Sequence, residues 1–137
     1  HREIEIVKAG KKHLMYPDNV ERMYASVNLV RLADALRRSK EIASRIPDKS
    51  IISVLNGMIA RPSRIHLMEE GKVPCLWILG EMDNYIPCED IQSKVKLPSN
   101  SQVVILKNSG HMGFVEEEEE SLEAMTRFAG KLTLSAT

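Results

Sequence analysis

The chain has 137 residues, 43% of them hydrophobic and 28% charged, with a formal net charge of zero. This is ordinary globular composition, long enough for one core. It excludes a disordered tail, a nucleic-acid binder working through bulk charge and, with no apolar run of spanning length, a membrane-embedded protein. The charge is unevenly spread: residues 1–72 hold 14 Lys and Arg against 9 Asp and Glu, and residues 73–137 hold 5 against 10. Two structural layers, facing each other or facing different neighbours, are expected from that division. The two cysteines, Cys75 and Cys88, match no metal or redox spacing and are too few for a disulfide-stapled secreted scaffold. No signal peptide opens this stretch; the expected location is cytoplasmic. The first residue is His1, which points to a trimmed or processed chain.

In chain order, Glu3 to Met15 reads as an amphipathic helix weakened by Gly10. "YPDN" (Tyr16 to Asn19) breaks it. Val20 to Ile46 predicts a long helix with Leu29, Leu32, Ala33, Leu36, Ile42 and Ile46 near one face. Its basic face, Arg31 to Lys40, is a solvated one diluted by Asp34 and Glu41. Asp48 is expected to cap a further helix, Lys49 to Ala60, whose Leu55, Met58 and Ile59 join Met68 in the core. Pro62 to Gly71 predicts a short helix between a proline start and a glycine stop.

After Gly71 the texture changes. "VPCLWILG" (Val73 to Gly80) is an unbroken apolar run, the pattern of a strand buried on both faces of a parallel sheet, with Trp77 packed inside. A short helix follows over "EDIQSKVKLP" (Glu89 to Pro98). "QVVILK" (Gln102 to Lys107) is a second such strand, and Glu116 to Ala129 a closing helix whose Glu116–Glu120 form a solvated, dipole-favoured first turn. Strand, helix, strand, helix is βαβ grammar, with right-handed parallel pairing expected. Two parallel strands alone leave edges unpaired, so the chain is expected to be the end of a larger α/β sheet.

The chemistry gathers just beyond the two strands. "GEMDNYIP" places Asp83 after the first, and "NSGHMGF" places His111 after the second. Ligands of open α/β sheets sit at that edge, and a carboxylate there can orient an imidazole for proton transfer. Ser109 shares the histidine's own loop and is a poor nucleophile candidate. His13 and His66 lack acidic or cysteine partners at ligand spacing, so each is structural and no metal is implied.

The runs "VPCLWILGEMDNYIP" and "VVILKNSGHMGFVEEEEESLEAMTRFA" resemble the acid-bearing and histidine-bearing segments of the α/β-hydrolase superfamily, over residues 49–130. The helical region 1–72 is similar, more weakly, to the cap those enzymes insert before residues such as 73–137, the βαβα portion of the core. The resemblance implies Asp83 as triad acid and His111 as general base, a small-molecule ester or acyl substrate, and no cofactor. No Gly-x-Ser-x-Gly elbow occurs. The nucleophile and the oxyanion donors would then come from a missing N-terminal half, and this chain alone would be inactive. A second copy pairing through the open strand edge is an alternative partner; nucleic acid and membrane are not expected. Two other readings stay open: a non-catalytic binding protein on the same scaffold, and a small helical interaction module.

Overall fold

The computed structural model describes residues 1–15, 19–94 and 96–134. Most of the "YPDN" break, and Val95 in the expected Glu89–Pro98 helix, therefore lie outside the described residues. The described residues divide into two compact units, one from His1–Arg22 with Leu29–Ser63, the other from Met23–Asn28 with Arg64 onward.

In the first unit, helix α1 (Arg2–Lys8) buries Ile4 and Val7 and packs against helix α3 (Asp48–Ala60). The helix expected to reach Met15 stops at Lys8. Gly10 takes a left-handed φ of 71°, its N–H donates to Val7 O (2.9 Å), and Lys11 N–H donates to Ile6 O (3.0 Å). These are the two bonds of a Schellman cap, and the glycine supplies the conformation it needs. A 3-10 turn at Lys12–Leu14 follows.

The expected Val20–Ile46 helix is three pieces: 3-10 turns at Val20–Met23 and Ser26–Asn28, then helix α2 (Ala33–Arg45). Hydrogen bonds to distant residues hold the Met23–Asn28 stretch in the second unit, overriding helical pattern. Helix α2 buries Leu36 and Ala43, while Ile42, expected on that face, is 65% exposed. Pro47 rather than Asp48 precedes α3 as its N-cap residue. Asp48 instead pairs with Lys12 Nζ at 3.0 Å, and that amine also donates to Ile46 O at 2.8 Å. The core expected around Leu55 is a correction. Ile51 is the buried residue of α3, Met58 and Ile59 are exposed, and Leu55 is half-buried. Helix α3 packs against α1, and Ile51 is its buried position.

In the second unit, helix α4 (Ile65–Glu69) is shorter than the Pro62–Gly71 expectation and leaves Met68 half-buried; Gly71 follows at φ 65°. Strand β1 (Leu76–Gly80) pairs in parallel with strand β2 (Gln102–Leu106), in register from Leu76↔Gln102 to Gly80↔Leu106. Helix α5 (Cys88–Lys94) lies between them in the chain, the βαβ arrangement read from the sequence. Helices α6 (Gly113–Glu116) and α7 (Glu118–Leu134) close the unit, and α7 packs on both strands. Its Ser121 is buried, with Ala124 and Phe128 half-buried on the same helical face.

The strands are not buried on both faces by the described residues. The first four residues of β1 are half-buried. Strand alternation puts Val103 and Ile105, each 40% exposed, on the face opposite Val104 and Leu106. Helix α7 covers one side of a two-stranded sheet, and the other side keeps apolar surface in water. No helix among the described residues is long and apolar enough to cross a membrane.

Candidate active site

The parallel register delivers the ends of β1 and β2 side by side, and backbone bonds then zip their loops together. Glu81 N–H donates to Leu106 O and Met82 N–H to Ser109 O, both at 2.9 Å. The approach is so close that a Cβ on Gly80 would stand 2.1 Å from Gly110 O and 2.5 Å from Ser109 O. Glycine is thus required at residue 80 because another backbone occupies the space.

Asp83 divides its two oxygens between two jobs. Oδ1 accepts the N–H groups of Tyr85 (2.7 Å) and Ile86 (3.0 Å), bracing its own turn. Oδ2 faces His111 Nδ1 at 2.9 Å. The aspartate side chain is 9% exposed and the imidazole 34%, so the acid is sheltered and the ring reaches solvent. The Tyr85 ring lies tilted against the imidazole, with centroids 5.6 Å apart. Turn-bracing and contact with the histidine thus coexist on one carboxylate.

Burial works against the charged form of Asp83. The Ile86 N–H, the His111 side chain and the Tyr85 N–H outweigh it, and the carboxyl is held below the usual value of 3.8. An ionised carboxylate only accepts, so Nδ1 is the donor, and in a neutral ring with that tautomer Nε2 carries the lone pair. The depressed value carries a stability consequence. Because the folded form binds the proton less readily than the unfolded one, Asp83 stabilises the fold fully above about pH 3.8, and that contribution fades as pH falls through the lowered folded value. Acid titrations of unfolding should therefore show a steeper acid limb for wild type than for Asp83→Asn, with the two curves converging at the lowest pH.

A cavity of about 300 Å³ opens beside the pair, lined by Ile78, Leu79, Ile86, Phe114 and Met125 together with Asp83 and His111. It is mainly apolar around two convergent polar groups, the character of a small-molecule site. A larger cavity, about 460 Å³, runs along β2 against α7 by Glu120, Glu123 and Arg127, away from His111. Size alone would select it, but Asp83 and His111 line the smaller one.

His13 sits in the 3-10 turn after α1 and His66 in α4; among the described residues no three His, Cys, Asp or Glu converge in a way that could hold a metal ion. Ser109 is fully buried and its hydroxyl donates to Glu117 Oε2 at 2.6 Å, so it is committed to the loop. Trp77 is half-buried, and its Nε1 finds no acceptor among the described residues.

The glutamate run departs from its expected solvated role. A break at Glu117 (φ −130°, ψ 68°) separates α6 from α7, leaving Glu118–Glu120 as the exposed first turn of α7. Glu116 is 2% exposed. Its Oε1 accepts Gly110 N–H at 2.8 Å, and its Oε2 accepts Ala25 N–H at 2.7 Å and Asn28 Nδ2 at 2.8 Å. Glu117 Oε2 accepts Asn108 N–H at 2.9 Å beside the Ser109 hydroxyl. Two successive carboxylates thus hold the loop bearing His111. The sequence signal was their place directly after the glycine-histidine turn, where a buried acceptor has loop amides within reach.

A parallel strand pair, with an acid and an imidazole meeting past its carboxyl ends and a closing helix, makes a partial α/β fold. The chain superposes on a thermophilic esterase from Thermogutta terrifontis, solved with malate bound, at TM-score 0.85 and 19% identity, covering 95% of this chain and 48% of that one. An esterase from Exiguobacterium antarcticum matches at TM-score 0.69 and 18% identity, over 93% of this chain and 46% of that one. The chain therefore spans about half the length of the solved esterases it matches. No family model and no curated protein matches it.

Proposed function

We propose that this chain is the C-terminal half of a serine-type α/β-hydrolase that cleaves a carboxylic ester or related acyl bond in a small molecule. The observation that carries the reading is the 2.9 Å contact of His111 Nδ1 with Asp83 Oδ2 at the carboxyl ends of two parallel strands, beside an apolar cavity. A serine on the preceding polypeptide attacks the carbonyl carbon as His111 Nε2 takes its proton. The tetrahedral oxyanion collapses, and the alcohol leaves with that proton. Water, deprotonated by the same nitrogen, then releases the acid and restores the serine. Asp83 holds the ring and balances the imidazolium.

In this reading residues 1–72 act as a cap and residues 73–137 as core. The outer edges of the two-stranded sheet support its completion, and the exposed face of Val103 and Ile105 its covering, by the polypeptide that bears the nucleophile. Two free cysteines suit a reducing compartment such as the cytoplasm. The test is to express the chain joined to the polypeptide encoded upstream of His1 and to assay p-nitrophenyl acetate. Turnover by the joined protein and none by the 137-residue chain is expected. A joined protein that binds esters without cleaving them would replace the enzyme with a binding protein on the same scaffold. Strong turnover by the 137 residues alone, or a second copy completing the sheet, would overturn the division of labour.

A further inference from the structure

The buried carboxylate of Glu116 has no part in the proton transfer described above, yet it joins the loop that carries His111 to the Met23–Asn28 segment. Its two oxygens accept Gly110 N–H, the residue before the histidine, and the Ala25 N–H and Asn28 Nδ2 of the segment beneath. The same two segments are tied twice more. His111 N–H donates to Met23 O at 2.8 Å, and Asn28 Nδ2 donates to Asn108 O at 2.5 Å. Gly110 lies so tightly on this segment that a Cβ there would be 2.8 Å from Ala25 N.

We propose that Glu116 is the positioning residue of the site: by joining Gly110 to Ala25 and Asn28 it fixes where the His111 ring meets Asp83. This rests on the hydrolase reading for its consequence in catalysis, though not for its geometry. Both Glu116 oxygens face donors, so hydrogen bonding here demands acceptors on both arms of the side chain. A glutamine of the same shape turns an N–H₂ group toward at least one of them. The backbone at residues 110 and 111 then loses its anchor and the ring loses its register with Asp83 Oδ2.

The experiment uses nuclear magnetic resonance of the 137-residue chain, well below its melting temperature, with wild type, Glu116→Gln and Asn28→Ala. In wild type the His111 Nδ1–H proton, assigned by its absence from His111→Ala, should appear far downfield as the bond to Asp83. Glu116→Gln should lose that resonance. It should also speed amide exchange at Gly110 and His111 about tenfold or more, leaving the β1–β2 ladder protected. Should Glu116→Gln fail to fold, Asn28→Ala decides: a weakened resonance and at least threefold faster exchange at the same two amides support the proposal. A resonance and exchange rates that stay at wild-type values in the folded variants, whatever happens to the melting temperature, overturn it and leave Glu116 a structural group only. In the joined protein, kcat should fall about a hundredfold with KM unchanged, the pattern of a misplaced base. If the joined protein proves to have no esterase activity, the hydrolase reading fails, while the resonance and exchange results still decide the role of Glu116.

Discussion

On the hydrolase reading proposed above, replacing His111 with alanine in the joined protein should abolish nearly all ester hydrolysis, a loss of roughly 10³–10⁴-fold or more in kcat, while the melting temperature moves little. In that reading the imidazole receives and returns the proton, with its Nδ1 facing Asp83 Oδ2 at 2.9 Å beside the cavity. The ring is one-third exposed, so its removal leaves no large void. Steady-state assays at saturating ester, paired with thermal melts, check both halves of the expectation. A wild-type rate in a folded His111→Ala protein would remove the histidine from the mechanism.

The second large effect is on stability. Gly80→Ala would drive a methyl into Gly110 O and Ser109 O, at 2.1 Å and 2.5 Å, where the obstacle is backbone and no rotamer change can relieve it. The β1 and β2 loops would have to part, breaking the bond from Met82 N–H to Ser109 O that holds them together. A loss of about 3 kcal/mol or more is expected, out of a total of about 5–15 kcal/mol for a typical domain. Gly57 in α3 and Gly130 in α7 have open space where a Cβ would go. Alanine at either should be neutral or stabilise by about 0.5–1 kcal/mol. Denaturant melts of the three variants separate close approach from helix propensity, and equal behaviour at all three positions would refute the packing argument.

The legible parts of this fold were those in which local sequence and tertiary structure agree. Both strands showed as apolar runs because few polar residues interrupt them, and their parallel pairing followed from the helix between. Asp83 and His111 could be brought together on paper because loops after adjacent parallel strands emerge at one edge. Where the reading failed, long-range hydrogen bonds decided. Val20 to Ile46 has helical spacing throughout, yet Ala25 N–H and Asn28 Nδ2 are held by Glu116, 91 and 88 positions away. Nothing near residue 25 announces that acceptor. Conversely, the glutamate run reads as a solvated turn from composition, and only the loop folded over Glu116 makes it a buried acceptor. Early termination of α1 was the reverse case: Gly10 signalled it, and the apolar pattern running on to Met15 concealed it.

The pairing of acid and base is tested most directly by a double-mutant cycle on ester hydrolysis in the joined protein, with Asp83→Asn, His111→Ala and both together. If the aspartate acts through the imidazole, the double variant is no slower than His111→Ala, because nothing remains for the carboxylate to orient. Losses that multiply, as for two independent groups, would contradict the account.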